Sequence, residues 1–276
     1  MNRNLAIGAA LGGSALLGAL AVAYSNAQGD KSGQSVKAGA PTTTAFDGAE
    51  EEAIRTIVRN YLLEHPDILV DSLNAYSERK EAEDRSNALA TARKNLAALV
   101  SPDHGFVAGA NPAAAQVAVI ELFDYHCGYC KKAVGLVRDL TKSDPAVKVV
   151  FRELPILREE SEYAAKAALA SRAQGKYYDL HFAMMGATGI LTKERIAGIA
   201  KEKGVDLARL EADINSKVVK ESIEETDKVA RDLRVDGTPT FIVASLNGEF
   251  IEVIPGFSAE KVMEAVAAAK KSAKKK

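Results

Sequence analysis

Phe123-Asp124-Tyr125-His126-Cys127-Gly128-Tyr129-Cys130-Lys131-Lys132 holds the only two cysteines in a sequence of 276 residues. The run leading into it, Val117-Ala118-Val119-Ile120-Glu121-Leu122-Phe123, is apolar and rich in β-branched residues, while Lys131 to Leu140 carries a helical pattern. The cysteines are therefore expected where a strand ends and a helix begins. A helix N-terminus presents unpaired N–H groups that favour negative charge. A cysteine there ionises below the ~8.5 of a free thiol, in a range of roughly 3.5–7.5. The thiolate is the reactive form, so the spacing sets a nucleophilic sulfur beside a second sulfur able to trap it.

Around this stretch the composition is that of a globular chain, with 47% hydrophobic and 26% charged residues. The net charge of −1 leaves no broad basic field for nucleic acid. Tryptophan is absent, which weakens any base-stacking surface, so nucleic acid is not an expected partner. Residues 1–27 read as an export signal: Arg3, an apolar run from Leu5 to Ala23, then small residues at Ser25 and Ala27 before a cut ahead of Gln28. An uncleaved anchor is the alternative, because the run approaches the length of a membrane span. Both readings put the body of the chain outside the cytoplasm. In an oxidising compartment a cysteine pair can be a structural staple. A Cys-x-x-Cys spacing, however, closes almost no loop and restrains the unfolded chain little. The pair makes better sense as a bridge that opens and closes.

Residues 28–47 are rich in Gly, Ser, Thr and Ala and read as a flexible linker. From Gly48 a helical spacing sets in at Ile54, Ile57, Val58, Tyr61 and Leu62, and His65-Pro66 interrupts it. Asp67 can cap a second helix with Ile68, Leu69, Leu73 and Tyr76 on one face. Ser77 to Arg85 is almost all charged, and only a thin stripe of Ala82, Leu89, Leu96, Leu99 and Val100 continues beyond it. Residues 48–100 are thus either solvated helix or an arm whose stripe over 48–76 meets another copy. Too few large apolar residues for an independent domain favour the arm and a homo-oligomer.

Ser101 to Pro112, with two Pro and two Gly, reads as a loop and a domain boundary. Residues 113–271 suit one α/β domain. A strand at Val117–Phe123, the cysteine helix to Lys142 and a strand at Val147–Arg152 make a parallel crossover. Helices follow from Glu159 to Leu233, broken at Gly175 and Gly204 and started at Thr192 and Asp206. The sheet resumes at Thr240–Ala244, turns at Asn247-Gly248 with type I′ character and returns at Phe250–Ile254. A last helix runs from Ala259 to Lys271, and 272–276 form a basic tail.

The order strand, Cys-x-x-Cys helix, strand, helices, Gly237-Thr238-Pro239, hairpin, helix resembles the thioredoxin fold. The helical insertion before Gly237-Thr238-Pro239 makes the chain similar to DsbA-type thiol–disulfide oxidoreductases. Phe123 to Lys131, together with Tyr61-Leu62-Leu63-Glu64-His65-Pro66-Asp67-Ile68-Leu69, looks like the subgroup of ScsC-like proteins. Those proteins are periplasmic and linked to copper tolerance and disulfide isomerisation. The fold class so implied is α/β, a thioredoxin fold with a helical insertion, preceded by an extended N-terminal helical arm. The resemblance also implies cysteine-containing protein substrates, a membrane redox partner, and no cofactor beyond the Cys127–Cys130 disulfide. In such a fold the Thr238-Pro239 bond is cis, faces the cysteines and leaves the Thr238 backbone to pair with a substrate strand.

Cys127, at the helix start and nearer solvent, is expected to form the mixed disulfide, and Cys130, one turn in, to resolve it. Gly128-Tyr129 tunes the potential. It departs from the Pro-His pair of the strongly oxidising members, which points to a less oxidising couple. His126 either lowers the Cys127 pKa as a cation or stands neutral at the surface. Glu121 is either a solvent-facing strand residue or a buried carboxylate moving protons near Cys130, with Lys148 and Arg152 in reach on the next strand. Zinc needs four ligands, and His65, His104 and His181 fall in unrelated segments, so no metal site is expected. Monovalent copper at the dithiol is chemically easier. The expected activity is isomerase or reductase, with dithiol oxidase or copper(I) binding as alternatives.

Overall fold

A computed structural model describes residues 46–274. The expected signal over 1–27, almost all of the linker, and the end of the basic tail lie outside the described residues. The chain divides into two units, Met1–Glu64 and His65–Lys276. The described element of the first is helix α1 (Gly48–Glu64). Asp47 caps it, its Oδ1 accepting the N–H groups of Ala49 and Glu50 at 2.9 Å each. No residue of α1 is buried, and its stripe of Ile54, Ile57 and Val58 is exposed.

The second unit opens with α2 (Pro66–Lys94), with proline in the first turn, where its missing N–H costs nothing. Ile68, Leu69, Leu73 and Tyr76 are exposed along the first half of α2. Its second half turns into the core. Leu89 and Ala92 of α2, with Leu96 and Leu99 of the short α3 (Leu96–Leu99), pack with Ala118, Ile120, Leu122 and Ile242. The division consequently falls between Glu64 and His65 rather than at 101–112, because the thin stripe of α2 and α3 is a sheet-covering surface.

The sheet contains β1 (Phe106–Ala108), β2 (Val117–Phe123), β3 (Val147–Glu153), β4 (Thr240–Ser245) and β5 (Ile251–Pro255), in the order β1-β3-β2-β4-β5. β1 lies inside the stretch expected as a loop. It pairs antiparallel with β3, and Gly105 permits the approach, since a Cβ there would sit 2.4 Å from the Phe151 carbonyl oxygen. β2 is central and buried along its whole length, as its near-continuous apolar run, interrupted by Glu121, suits. It runs parallel to β3, through α4 (Gly128–Ser143), and antiparallel to β4. Alternation along β2 sends Val117, Val119, Glu121 and Phe123 to one face and Ala118, Ile120 and Leu122 to the other. The first face is covered by Ala133, Val137 and Leu140 of α4, and the second by α2 and α3.

Between β3 and β4 lies the helical insertion: α5 (Glu159–Ser171), α6 (Tyr177–Gly186), α7 (Lys193–Glu202), α8 (Leu207–Asp213) and α9 (Lys217–Asp232). Thr192, Asp206 and Ser216 cap α7, α8 and α9 through their side-chain oxygens. The final helix α10 (Ala259–Ala273) is capped by Ser258. The β4–β5 turn differs from expectation. Gly248 has φ 78° but Asn247 is not in the left-handed region, so the Asn-Gly pair does not make the type I′ turn, which needs positive φ at both residues. The turn closes instead from the Gly248 N–H to the Ser245 carbonyl at 3.0 Å. Among the described residues no helix is long and apolar enough to cross a membrane. The architecture is α/β with a helical insertion, behind N-terminal helices.

Candidate active site

β2 ends at Phe123 and α4 starts at Gly128, so Asp124 to Cys127 form an elbow at the end of the central strand. Cys127 is the N-cap of α4, and its Sγ accepts the Cys130 N–H at 3.2 Å. From 111 positions away, the Thr238 carbonyl accepts the Cys127 S–H at 3.0 Å. The Thr238-Pro239 peptide is cis. The Thr238 carbonyl, expected to be open to a substrate strand, is thus occupied while Cys127 is protonated. Gly128 and Tyr129 are exposed on the outer turn, and the Lys132 ammonium lies 4.7 Å from the Tyr129 ring centroid.

The two cysteines are 4% and 1% exposed, so the expected contrast in accessibility is slight. Electrostatics separates them instead. Cys127 is pulled down to about 6, chiefly because the Cys130 thiol can donate to its thiolate, with further help from the backbone N–H groups of Cys130 and Tyr129 and against the penalty of burial. Cys130 moves the opposite way, well above a normal thiol, first through burial and then through its bond to Cys127 and the Glu121 charge. One sulfur is an anion at neutral pH and its neighbour holds its proton.

Glu121 is 2% exposed. Burial first, and the Cys127 thiolate second, push its carboxyl up to about 8. The solvent-facing alternative does not hold, and neither does pairing with Lys148 or Arg152. In the β2–β3 register Lys148 lies beside Ala118 and Arg152 beside Leu122, out of phase with Glu121. Arg152 is fully buried and donates across the opposite face to the Ala98 carbonyl at 3.2 Å.

His126 is not a cation here. Its Nε2 accepts the Leu191 N–H at 3.0 Å and is therefore unprotonated, and its Nδ1 lies 2.9 Å from Ser161 Oγ. Burial is the main cause that lowers its pKa. Ser161 donates in turn to Asp124 Oδ1 at 2.8 Å, which also accepts the His126 N–H at 2.7 Å, while Oδ2 accepts the Leu157 N–H at 3.0 Å. Asp124 and Ser161 were not singled out by the sequence reading. An acceptor side chain three residues ahead of the first cysteine was a usable sign for Asp124, whereas nothing in the sequence ties Ser161 to the elbow.

Two further groups brace the same elbow. Tyr125 donates to Glu153 Oε1 at 3.2 Å, which also accepts from Tyr177 at 2.7 Å, and His181 Nδ1 lies 3.1 Å from the Tyr125 hydroxyl. Burial holds the Glu153 carboxyl well above its usual range. Lys131 spends its three donors on the carbonyls of Met184, Met185 and Ala187, at 3.4, 3.2 and 2.6 Å, closing the C-terminus of α6. Among the described residues no group of three or more His, Cys, Asp or Glu is placed to hold a metal ion.

The family model of the DSBA-like thioredoxin domain matches residues 118–267, more than half of the chain, and that of the copper resistance protein ScsC N-terminal domain matches 50–83. A thioredoxin-like oxidoreductase from Silicibacter pomeroyi DSS-3 is 38% identical with a TM-score of 0.58, covering 63% of this chain and 96% of that one. BcfH of Salmonella enterica Typhimurium is 25% identical with a TM-score of 0.66, covering 80% and 96%. The Na(+)/H(+) antiporter NhaA 1 of Salinispora arenicola is 32% identical over 146 residues, 52% of this chain but 22% of the antiporter. The present chain therefore spans under a quarter of that relative's length. The chain belongs to the DSBA-like thioredoxin domain family.

Proposed function

We propose that the chain is a periplasmic thiol–disulfide oxidoreductase that exchanges disulfides with protein substrates, working as a reductase or isomerase. The observation that carries this reading is the opposed acidity of two adjacent sulfurs, Cys127 low and Cys130 high, beside Thr238-Pro239. The Cys127 thiolate attacks one sulfur of a substrate disulfide. The substrate S–S bond breaks, its electron pair leaves on the second substrate sulfur, and a mixed disulfide forms. Cys130 gives up its proton and attacks Cys127. The mixed bond breaks, the substrate leaves as a dithiol reduced by two electrons, and the enzyme is left with a Cys127–Cys130 disulfide. In isomerisation the freed substrate thiolate attacks the mixed disulfide instead, with no net electron transfer.

Glu121 is suited to time the second step. The Cys127 thiolate is one cause of its high pKa. Once that charge is consumed in the mixed disulfide, Glu121 ionises more easily, releases its own proton to water and can then accept the Cys130 proton. In this reading the electrons pass through the cysteine pair alone.

The acidity of Cys127 supports the reductase or isomerase direction. A value of about 6 lies nearer the ~7 of a reducing thioredoxin than the ~3.5 of a strong oxidant. A reductase is re-reduced after each turnover and an isomerase is kept reduced, and a membrane redox partner is the proposed source of those electrons. Export rests on the Leu5–Ala23 run and Ser25-Asn26-Ala27. The exposed stripes of α1 and of the first half of α2 suit a homo-oligomer. Incubating the Cys130→Ala protein with a disulfide-bonded substrate tests the reading: a mixed disulfide through Cys127 is expected to accumulate, and none when Cys127 is also replaced.

A further inference from the structure

The elbow that carries Cys127 is tied to two distant parts of the chain through one side chain. The His126 ring is bonded at Nδ1 to Ser161 of α5, 35 positions away, and at Nε2 to the Leu191 N–H ahead of α7, 65 positions away. Ser161 and Leu191 are fully buried and Asp124 is almost so, so water does not replace these bonds. The donor order is fixed by the chemistry. Leu191 N–H can only donate, which leaves Nε2 as acceptor and Nδ1–H as donor to Ser161, whose hydroxyl then donates to Asp124. Asp124 returns the connection to the elbow by accepting the His126 N–H at 2.7 Å, and its carbonyl accepts the Cys127 N–H at 3.1 Å.

We propose that Asp124, Ser161 and His126 form a latch through which the helical insertion holds the Cys127 sulfur at the start of α4. They are positioning residues, since none of them touches the sulfur. The proposal deepens the exchange reading above and rests on it. The Cys127 thiolate depends on donors at fixed distance, above all Cys130. A cap that drifts from its N–H groups loses that help. With the latch open, the elbow keeps only the Leu157 N–H bond to Asp124 Oδ2 just ahead of α5 and loses its tie to the segment before α7, and the sulfur moves with the elbow. Charged groups that face His126 are Asp124 on the elbow, Arg158 and Glu160 at the start of α5, and Lys131 on α4; Glu121 of β2 faces the sulfur.

The test is the pH midpoint of the Cys127 thiolate absorbance in the full-length reduced protein. His126→Phe keeps the bulk of the ring and removes both bonds, and His126→Gln can still accept from Leu191 and donate to Ser161. The expected result is a midpoint raised by about one pH unit in H126F, roughly tenfold less thiolate below the midpoint, and restored to near the wild-type value in H126Q. A folded H126F with the wild-type midpoint overturns the proposal. If H126F does not fold, Ser161→Ala, which deletes one buried oxygen, is read by the same two outcomes. The midpoint is measured without substrate, so it stands apart from whether the protein exchanges disulfides at all.

Discussion

Cys127 Sγ donates to the Thr238 carbonyl at 3.0 Å, so the proline loop meets the reactive sulfur before any substrate does. This bond exists only while the thiol keeps its proton. In the proposed exchange, ionising Cys127 both creates the nucleophile and releases the Thr238 carbonyl for a substrate N–H, the main-chain pairing by which an extended segment binds an exposed backbone.

Alkylation should therefore follow Cys127 alone. Iodoacetamide is expected to label the reduced protein once, at Cys127, with a rate that rises through a midpoint near 6. Cys130, whose acidity is shifted the other way, should stay unlabelled at pH 7.5. Peptide mapping by mass spectrometry reads both results, and labelling shared between the two cysteines would contradict the assignment of roles.

Glu121 makes a prediction about stability. Its folded pKa, about 8, is raised above the ordinary carboxyl value of 4.5. Its contribution is fully present below that ordinary value and is lost as pH rises through the folded one. Glu121→Gln should remove this loss. Compared with wild type it should gain on the order of a few kcal/mol on going from pH 4 to pH 9, seen as a rising difference in urea midpoints. The same substitution should slow release of substrate from the mixed disulfide.

Lys131 is predicted to be structural. Lys131→Met keeps the apolar stem but removes the ammonium from three carbonyls at the end of α6, of which only that of Met184 keeps another donor there, the Ala187 N–H. A loss of about 2 kcal/mol in urea unfolding is expected, the range for hydrogen bonds to a charged group.

The exposed stripes predict assembly. Ile57→Lys in α1 or Leu73→Lys in α2 should lower the mass measured by light scattering towards that of a monomer. Stability of the catalytic unit should change by under about 0.5 kcal/mol, as for other exposed positions. A wild-type monomer would contradict the assembly reading.

Much of this molecule is written locally. Val117–Phe123 is apolar at every position but Glu121 and so had to be a central strand, and Ser258, Thr192 and Asp206 announce helix starts. The elements are legible because each depends on neighbours in sequence. What was missed depends on partners far away. β1 is three residues long and gains its strand character from β3 and from the close approach at Gly105. The second half of α2 looks solvated until the sheet beneath it supplies Ala118, Ile120 and Leu122. At the site, the two cysteines and Thr238-Pro239 were legible by motif. The phase of Glu121 against Arg152 needed the strand register, and the neutral state of His126 needed Leu191, 65 positions on.

The central claim is that Cys127 exchanges disulfides with proteins, and insulin reduction tests it most directly. With dithiothreitol as the electron source, wild type is expected to precipitate insulin chains well ahead of the uncatalysed reaction, and the Cys127→Ala protein to match the uncatalysed rate. Wild type no faster than Cys127→Ala would contradict the account.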